Sequence, residues 1–130
     1  MNVLSLFDGI SYGRIALERA GIEVTNYYSS EVDKYAVKVA NENYPKDEKN
    51  RLGDVLKIKE GDLPTIDLLI GGPPCQGFSI AGKGLNFKDK RSKLVFEYIR
   101  LLNEIKPKYF LLENVKMKQE YQDIISKYLG

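Results

Sequence analysis

The sequence predicts an α/β fold in which a mainly parallel sheet of about five strands carries helices on both faces. Short apolar runs alternate along the chain with segments of helical periodicity, as they do in folds of this class. Each apolar run ends at glycine, proline or acidic residues, which punctuate secondary structure. The chain has 130 residues, 43% of them hydrophobic, and it shows no internal repeat or linker, so one domain is expected.

The first elements are strand, helix and strand. The apolar run Asn2–Phe7 predicts a strand that ends at Asp8-Gly9. Tyr12–Ala20 has apolar residues on or near one helical face and is followed by Gly21, which favours a helix that stops there. Val24–Ser30 predicts the second strand.

The middle of the chain continues the alternation. Asp33 is suited to cap a helix that extends through Ala40, and a short third strand is expected near Arg51–Val55. Thr65–Ile70 is apolar apart from one aspartate and predicts another strand. The Gly71-Gly72-Pro73-Pro74 sequence ends that strand, because neither helix nor sheet tolerates it.

The last part predicts helix, strand and helix. Apolar residues recur at helical spacing from Leu94 to Ile105, and Pro107 ends that helix. Tyr109–Leu112 predicts the fifth strand and Met117–Leu129 a final helix. The whole pattern predicts a doubly wound, Rossmann-like sheet, in which ligands bind at the carboxyl ends of the strands.

Composition excludes several classes of protein. No apolar run approaches the roughly 18 to 20 residues of a transmembrane helix, and no secretory signal is visible, so a cytoplasmic protein is expected. The chain has one cysteine, Cys75, and no histidine, which excludes an internal disulfide, the usual zinc sites and a histidine base. We therefore expect no metal centre, and acid–base chemistry would rest on carboxylates, Lys, Tyr or Cys.

Charge is distributed unevenly although the net charge is only +2. Residues 1–82 carry 9 basic and 12 acidic side chains, whereas residues 83–130 carry 11 and 6. Lys83, Lys88, Lys90, Arg91 and Lys93 form a basic segment that would suit a phosphate backbone, and a solvated loop explains it equally simply.

Acidic and small residues stand where the predicted strands end. The turn from Phe7 to Gly13 lacks both the glycine spacing of a dinucleotide fingerprint and the lysine of a phosphate loop, and alone it would be an ordinary turn. Glu31 ends the second strand, where an acidic side chain can accept both hydroxyls of a ribose. Asp54 could reach the same adenosine, or it could be a turn residue.

Two further strand ends carry reactive groups. Pro73 and Pro74 stiffen the chain immediately before Cys75, an arrangement that suits a nucleophile, although a lone cysteine is often a small buried apolar residue. Glu113 could hydrogen-bond a heterocycle and supply a proton near Cys75 if their strands are neighbours, or it could be part of a helix cap with Asn114.

Together these residues closely resemble the DNA cytosine-5 methyltransferase family, in the right order from Asn2 to about Val115. The first motif has the form Phe-Asp-Gly, which resembles the form found in the branch that includes de novo DNA methyltransferases and related bacterial and phage enzymes. The matching motifs are Phe7-Asp8-Gly9 through Gly13, Glu31-Val32-Asp33, Asp54, Gly72-Pro73-Pro74-Cys75-Gln76, Asp89-Lys90-Arg91 with Leu94, and Glu113-Asn114-Val115.

The resemblance implies methyl transfer from S-adenosyl-L-methionine to C5 of a flipped cytosine in double-stranded DNA, with S-adenosyl-L-homocysteine as product. Cys75 would attack C6, and Glu113 would assist at N3. Cofactor contacts are implied for Phe7, Asp8, Gly9, Ile10, Ser11, Gly13, Glu31, Val32, Asp54, Val55, Pro73 and Leu94. Substrate contacts are implied for Pro74, Gln76, Gly77, Ser79, Arg91, Asn114 and Val115.

The resemblance also implies that the fold is incomplete, because family members continue with further strands, a target-recognition region and a last cofactor motif. We expect residues 1–130 to be the N-terminal portion of a catalytic domain with an uncovered sheet edge. A complementary polypeptide or self-association would cover that edge. A tRNA cytosine-5 methyltransferase fragment, a non-catalytic cofactor- or partner-binding remnant, and a small-molecule methyltransferase are the alternatives.

Overall fold

The structure, a computed structural model, describes residues 1–72 and 93–112. These residues contain three helices and four strands. In addition, three short 3-10 segments, Pro45–Asn50, Val55–Lys57 and Glu60–Asp62, connect α2 to β3. In chain order the seven elements are β1 (Asn2–Leu6), α1 (Tyr12–Arg19), β2 (Asn26–Ser30), α2 (Lys34–Asn43), β3 (Leu68–Gly71), α3 (Lys93–Ile105) and β4 (Tyr109–Leu112).

The four strands form one parallel sheet in the order β2-β1-β3-β4. The chain moves outward from β1 to β2 on one side and then crosses to β3 on the other, so the loops that follow β1 and β3 diverge at the centre of the sheet. Ligands of such sheets bind at this switch point. The predicted parallel α/β fold is confirmed.

Apolar side chains alternate along β1 and divide the core between the two faces of the sheet. Leu4 and Leu6 pack in a cluster with Tyr98 and Leu101 of α3. Val3 packs in a second cluster, which includes Leu17 of α1 and Tyr27 of β2. Helices therefore cover both faces, and no helix in the described ranges is long and apolar enough to cross a membrane.

The third strand expected near Arg51–Val55 does not form, and this prediction is wrong. Arg51 makes a single isolated parallel bridge with Ser29 of β2. The chain then turns away, because Gly53 has a left-handed φ of 76° and the Asp54 carboxylate accepts a hydrogen bond from the Leu56 amide at 3.0 Å. The sheet of the described residues thus has four strands, while the predicted helix 117–129 lies outside those residues.

Asp33 caps α2 as predicted. Its Oδ1 atom accepts hydrogen bonds from the Tyr35 amide at 2.9 Å and the Ala36 amide at 3.3 Å. The cap pairs two amides that have no partner inside the helix. It also fixes where the chain leaves the end of β2, which is where Glu31 lies.

The outer strand β4 pairs, within the described residues, with β3 alone. All four of its side chains are apolar, and three of them are about half exposed or more: Tyr109 at 54%, Phe110 at 48% and Leu111 at 64%. Unpaired edges with exposed apolar side chains favour association with another strand.

Tyr98 of α3 contacts the backbone of two neighbouring strands, β3 and β4, from one face of the sheet. Its ring is fully buried, and its hydroxyl donates to the carbonyl oxygen of Leu111 in β4 at 2.9 Å and lies 3.3 Å from that of Leu69 in β3. Burial raises the pKa of the Tyr98 hydroxyl, and burial with the nearby Asp8 carboxylate raises that of Tyr27.

These two tyrosines predict alkaline destabilisation. Their folded-state pKa values lie above the unfolded value of about 10, so their contribution to stability is complete below pH 10 and is lost as the pH rises further. We expect the free energy of unfolding to fall by about 1.4 kcal/mol per pH unit for each of them above pH 10. Urea unfolding between pH 9 and pH 11.5 measures this slope.

Substitution separates Tyr98 from the general effect of high pH. A Tyr98→Phe variant is expected to be less stable at pH 8 by about 1–2 kcal/mol and to show a shallower alkaline slope. The matched control is Tyr35→Phe, which removes the hydroxyl of a side chain that is 85% exposed and should leave the slope unchanged. An unchanged slope in Tyr98→Phe would contradict the assignment.

Candidate functional site

Two adjoining cavities lie at the carboxyl ends of the strands. Each has a volume of about 300 Å³, and both are bordered by Phe7 and Gly72. The first lies over the loop that follows β1, and its lining includes Asp8, Gly9, Gly13 and Gly71. The lining of the second includes Glu31, Val32, Asp54, Val55 and Leu94.

A larger hollow of about 590 Å³ lies elsewhere, between the exposed side of α1 and the end of α2. It is a shallow, open depression, bordered by residues such as Glu18, Arg19 and Tyr44 that no sequence pattern singled out. We therefore place the candidate site in the smaller pair, which gathers the predicted strand-end residues at the switch point of the sheet.

The loop between β1 and α1 has an unusual backbone. Phe7, Gly9 and Ser11 have φ values of 58°, 59° and 70°, so alternate residues adopt the left-handed conformation. For Phe7 and Ser11 this conformation costs on the order of 1 kcal/mol each, which other contacts must offset. Strand β1 consequently ends at Leu6, one residue earlier than the apolar run Asn2–Phe7 predicts.

The Asp8 carboxylate supplies those contacts. Its side chain is fully buried. Oδ1 accepts hydrogen bonds from the Ser5 hydroxyl at 2.7 Å and the Tyr27 hydroxyl at 2.6 Å. Oδ2 accepts from the Ser11 hydroxyl at 2.6 Å and from Nη1 of Arg51 at 3.0 Å. Because these four bonds use the carboxylate fully, Asp8 would meet a ligand in the first cavity through its main chain.

Glu31 joins the same loop to the end of β2. Its Oε1 atom accepts from the Gly9 amide at 2.8 Å, and Oε2 accepts from the Val32 and Asp33 amides at 2.9 and 3.0 Å. A carboxylate oxygen accepts two hydrogen bonds readily, so Oε1 keeps capacity for a hydroxyl donor. Glu31 is thus placed both to hold the loop and to accept from a sugar in the second cavity.

Gly9 and Gly13 serve this loop for different reasons. Gly9 needs its positive φ, and a Cβ atom there would meet nothing within 4 Å. At Gly13 a Cβ atom would lie 2.5 Å from Cδ1 of Ile70 and 2.9 Å from the Tyr27 hydroxyl. The flexible end of Ile70 can move, whereas the Tyr27 hydroxyl is held by Asp8. Gly13 therefore allows α1 to pack closely on the sheet.

We expect Gly13→Ala to lower the free energy of unfolding by about 1–3 kcal/mol, because the methyl group displaces the Tyr27 hydroxyl. Gly9→Ala, the matched control, should cost about 1 kcal/mol from backbone strain alone. Urea denaturation followed by circular dichroism measures both. A Tyr27→Phe substitution makes room for the new methyl group, so the costs of Tyr27→Phe and Gly13→Ala should be less than additive, and strict additivity would contradict the packing argument.

The far side of the second cavity is formed by Asp54 and Val55, and α3 fixes their position. Arg100 of α3 donates from Nη2 to the carbonyl oxygen of Val55 and from Nη1 to that of Ile58, both at 3.2 Å. Glu97 and Glu104 hold the guanidinium from the helix at 2.7 and 3.2 Å. Sequence reasoning missed Arg100, because nothing local connects it to residues more than 40 positions away.

The residues predicted for catalysis and substrate binding lie outside the described residues. The structure does show that β3 and β4 are neighbours in the sheet, with Gly71 opposite Leu112. This was the condition for Cys75, four positions after Gly71, and Glu113, directly after Leu112, to act together. The predicted residues outside the described ranges are Pro73, Pro74, Cys75, Gln76, Gly77, Ser79, Arg91, Glu113, Asn114 and Val115.

Within the described ranges, no group of three or more Cys, Asp or Glu side chains is arranged to hold a metal ion. Besides Asp8, whose carboxylate is fully used within the protein, the two cavities offer the acidic side chains of Glu31 and Asp54, backbone at glycines, and apolar surface from Phe7, Val55 and Leu94. This combination suits a nucleoside-containing ligand with a flexible polar extension.

Comparison with known proteins identifies relatives of this arrangement. A family model described as C-5 cytosine-specific DNA methylase matches residues 1–123. The orphan methyltransferase M.Rho11sI of Bacillus phage rho11s is 47% identical over 116 residues, which are 89% of this chain and 23% of that protein. The type II methyltransferase M1.ScrFI of Lactococcus lactis subsp. cremoris is 46% identical over 114 residues, covering 88% of this chain and 28% of that protein.

Solved structures share the fold. A mutant of Spodoptera frugiperda DNMT2 superposes with a TM-score of 0.77 at 24% identity, covering 98% of this chain and 40% of its own. The Dnmt2 methyltransferase of S. pombe gives a TM-score of 0.72 at 22% identity, covering 99% and 39%. This chain spans about a quarter of the length of the two sequence relatives named above.

Proposed function

This chain belongs to the C-5 cytosine-specific DNA methylase family, and we propose that it supplies the cofactor site and the catalytic pair for methyl transfer from S-adenosyl-L-methionine to C5 of cytosine in DNA. One observation carries the proposal. Phe7 and Glu31, which follow β1 and β2, and Asp54, which precedes the 3-10 segment Val55–Lys57, are far apart in sequence but line two adjoining cavities at the switch point of the sheet.

The described residues fit an adenosine-containing cofactor. Glu31 keeps acceptor capacity on Oε1 for one ribose hydroxyl, and Phe7, Val32, Val55 and Leu94 provide apolar surface for the adenine in the second cavity. The first cavity, over the loop from Asp8 to Gly13, would take the amino-acid end. When bound, S-adenosyl-L-methionine supplies an electrophilic methyl group, and the chain binds and orients it. Ile10, Ser11 and Pro73 complete the proposed cofactor contacts.

The proposed chemistry on the base uses Cys75 and Glu113. Cytosine C5 is too weak a nucleophile by itself, so the Cys75 thiolate adds to C6 and makes C5 electron-rich. Glu113 hydrogen-bonds N3 and stabilises the resulting enamine. Loss of the C5 proton after methylation allows the thiolate to leave. The base must leave the helix stack to reach these groups, and contacts to it are proposed for Pro74, Gln76, Gly77, Ser79, Arg91, Asn114 and Val115.

We further propose that methyl transfer needs polypeptide beyond these 130 residues. The chain spans about a quarter of the length of the relatives named above, and the apolar side chains of β4 stand at an edge that is unpaired within residues 1–72 and 93–112. A complementary polypeptide would cover that edge and read the DNA target, and self-association is the alternative way to cover it. Such an enzyme would act in the cytoplasm of a bacterial or phage-infected cell.

Nuclear magnetic resonance tests the cofactor site directly. Titration of the folded chain with S-adenosyl-L-homocysteine is expected to shift the amide signals of residues that line the two cavities, and this detects weak binding as well as tight binding. Glu31→Ala should weaken binding at least about tenfold, since it removes the proposed acceptor of a ribose hydroxyl and the acceptor of the Gly9 amide, which holds the loop. Glu23→Ala, an exposed glutamate before β2, is the matched control. A folded chain whose signals do not shift would contradict the cofactor assignment.

Covalent trapping tests the chemistry. Duplex DNA with 5-fluorocytosine in place of cytosine blocks proton loss after methylation and leaves the cysteine attached to the base. Intact mass spectrometry with S-adenosyl-L-methionine should show an adduct only when the region that the relatives carry beyond the match is added. An adduct with the chain alone would overturn the need for that region. The absence of an adduct in both mixtures would favour a non-catalytic remnant, and an adduct only with 5-fluorocytosine RNA would favour an RNA enzyme.

A further inference from the structure

We propose that Arg51 is a positioning residue that holds the loop between β1 and α1 in its ligand-binding conformation by acting through Asp8. The inference rests on the proposed function only in that this loop is taken to contact the cofactor. Arg51 does not border either cavity and belongs to none of the motifs that carry the family resemblance.

The guanidinium of Arg51 contacts three other segments of the chain: the loop between β1 and α1, strand β2 and helix α2. Nη1 lies 3.0 Å from Oδ2 of Asp8, 3.1 Å from the Ser11 hydroxyl oxygen and 2.6 Å from that of Ser29 in β2. Nε donates to Oδ1 of Asn41 in α2 at 3.0 Å. Its own backbone pairs with Ser29, which fixes the root of the side chain. One side chain thus ties the loop to β2 and α2.

Stability alone does not account for this arrangement. The Arg51 side chain is 11% exposed and its Asp8 partner is fully buried, and burying such a pair costs desolvation energy that the ion pair only partly restores. In the described part of the chain, Nη2 of Arg51 is also a buried donor without a hydrogen-bond partner. An apolar packing would avoid these costs, so the pair is better explained by the geometry that it imposes.

The geometry concerns the start of α1. Ser11 occupies the N-cap position of that helix, but its side chain makes no capping hydrogen bond. Its hydroxyl instead donates to Asp8 at 2.6 Å and lies against Arg51. The pair therefore draws Ser11 into a left-handed conformation and turns its hydroxyl away from the helix terminus that borders the first cavity. Without Arg51, the Ser11 hydroxyl oxygen loses a donor and can accept a capping hydrogen bond from α1, and the Asp8 carboxylate is no longer held by its counter-ion, so the loop can relax.

The test compares Arg51→Gln and Arg51→Lys with Arg14→Gln. Arg14 forms a second part-buried ion pair of the same kind, with Asp47 at 3.1 Å, and it does not touch Asp8. Two measurements are made on each variant: amide hydrogen exchange at Gly9 and Ser11 without ligand, and the dissociation constant for S-adenosyl-L-homocysteine. The first measurement does not depend on whether the site binds that ligand.

We expect Arg51→Gln to raise the amide exchange rates of Gly9 and Ser11 about tenfold, and to raise the dissociation constant for S-adenosyl-L-homocysteine by the same factor. A tenfold change corresponds to the loss of one charge-assisted hydrogen bond. Arg51→Lys should show about a threefold change in both, since an ammonium can pair with Asp8 but cannot also reach Asn41. This variant decides the question if the Gln variant does not fold. Arg14→Gln should stay within about twofold in both measurements even where it lowers the melting temperature equally.

Three results would overturn the inference: unchanged loop exchange in the folded Arg51→Gln variant, wild-type values in Arg51→Lys when the Gln variant does not fold, or an equal change in Arg14→Gln. Failure of the wild-type chain to bind S-adenosyl-L-homocysteine is a different result. It would contradict the proposed function, while the exchange data would still decide whether Arg51 holds the loop.

Discussion

A Cys75→Ser variant is expected to transfer no detectable methyl group to cytosine, a loss of at least about a thousandfold, while it binds S-adenosyl-L-homocysteine within about twofold of the wild-type chain. A serine hydroxyl ionises far less readily than a thiol, so it cannot add to C6 at neutral pH. Nothing else in a chain without histidine replaces it. Transfer of a labelled methyl group to duplex DNA measures the effect, in the presence of the region that the relatives carry beyond the match.

The split between chemistry and binding makes this prediction specific. Cys75 is proposed to touch the base and not the cofactor, so the dissociation constant should change little. Retained methyl transfer in Cys75→Ser would contradict the cytosine mechanism and favour a methyltransferase that acts by direct displacement on another substrate. Equal loss of binding and transfer would indicate that the substitution disturbs the fold around β3.

An Asp8→Ala variant is expected to lose about 3–5 kcal/mol of unfolding free energy, the largest effect on stability predicted for this chain. The substitution leaves the guanidinium of Arg51 buried without its counter-ion and removes the acceptor of the Tyr27, Ser5 and Ser11 hydroxyls. Urea unfolding measures the loss. Asp47→Ala, which breaks the more exposed pair with Arg14, is the matched control and should cost about 1–2 kcal/mol.

A second substitution tests the physical reason. Asp8→Ala combined with Arg51→Met removes both charges, so the double variant should recover part of the lost stability and unfold at higher urea than Asp8→Ala alone. If the two costs simply add, the buried uncompensated charge is not the cause. If Asp8→Ala is as stable as the wild-type chain, the network around Asp8 contributes nothing measurable.

Local pattern was sufficient for most of the fold. The apolar run before Asp8, the cap at Asp33 and the apolar run before Gly71-Gly72 each depend on neighbours within a few residues, and the structure has a strand or helix at each of these places, although β3 includes Gly71 and so ends one residue later than predicted. The predicted ends of strands were less accurate. Strand β1 ends at Leu6, because Phe7 adopts a left-handed φ that its apolar character does not reveal.

The expected strand near Arg51–Val55 shows where local pattern fails. A short strand was expected there from its place in the alternation of strands and helices, but the Arg51 side chain bonds to Asp8 and Ser29, which lie 43 and 22 residues away in sequence. These side-chain contacts and the turn at Gly53 limit the segment to a single isolated β-bridge with Ser29. No short window of sequence around Arg51 contains either Asp8 or Ser29.

The sequence was enough to predict the parallel α/β class and the family, and to propose the strand ends at which a ligand binds, because hydrophobic periodicity and turn chemistry are local properties and the motifs are contiguous. Only the packed chain decided how Asp8, Glu31, Arg51 and Arg100 are used. Asp8 becomes an internal hydrogen-bond hub instead of a free carboxylate, and Arg51 becomes its counter-ion. Such pairings are fixed by the close approach of segments tens of residues apart, and hydrogen-bond geometry selects among several acidic and basic residues only after that approach.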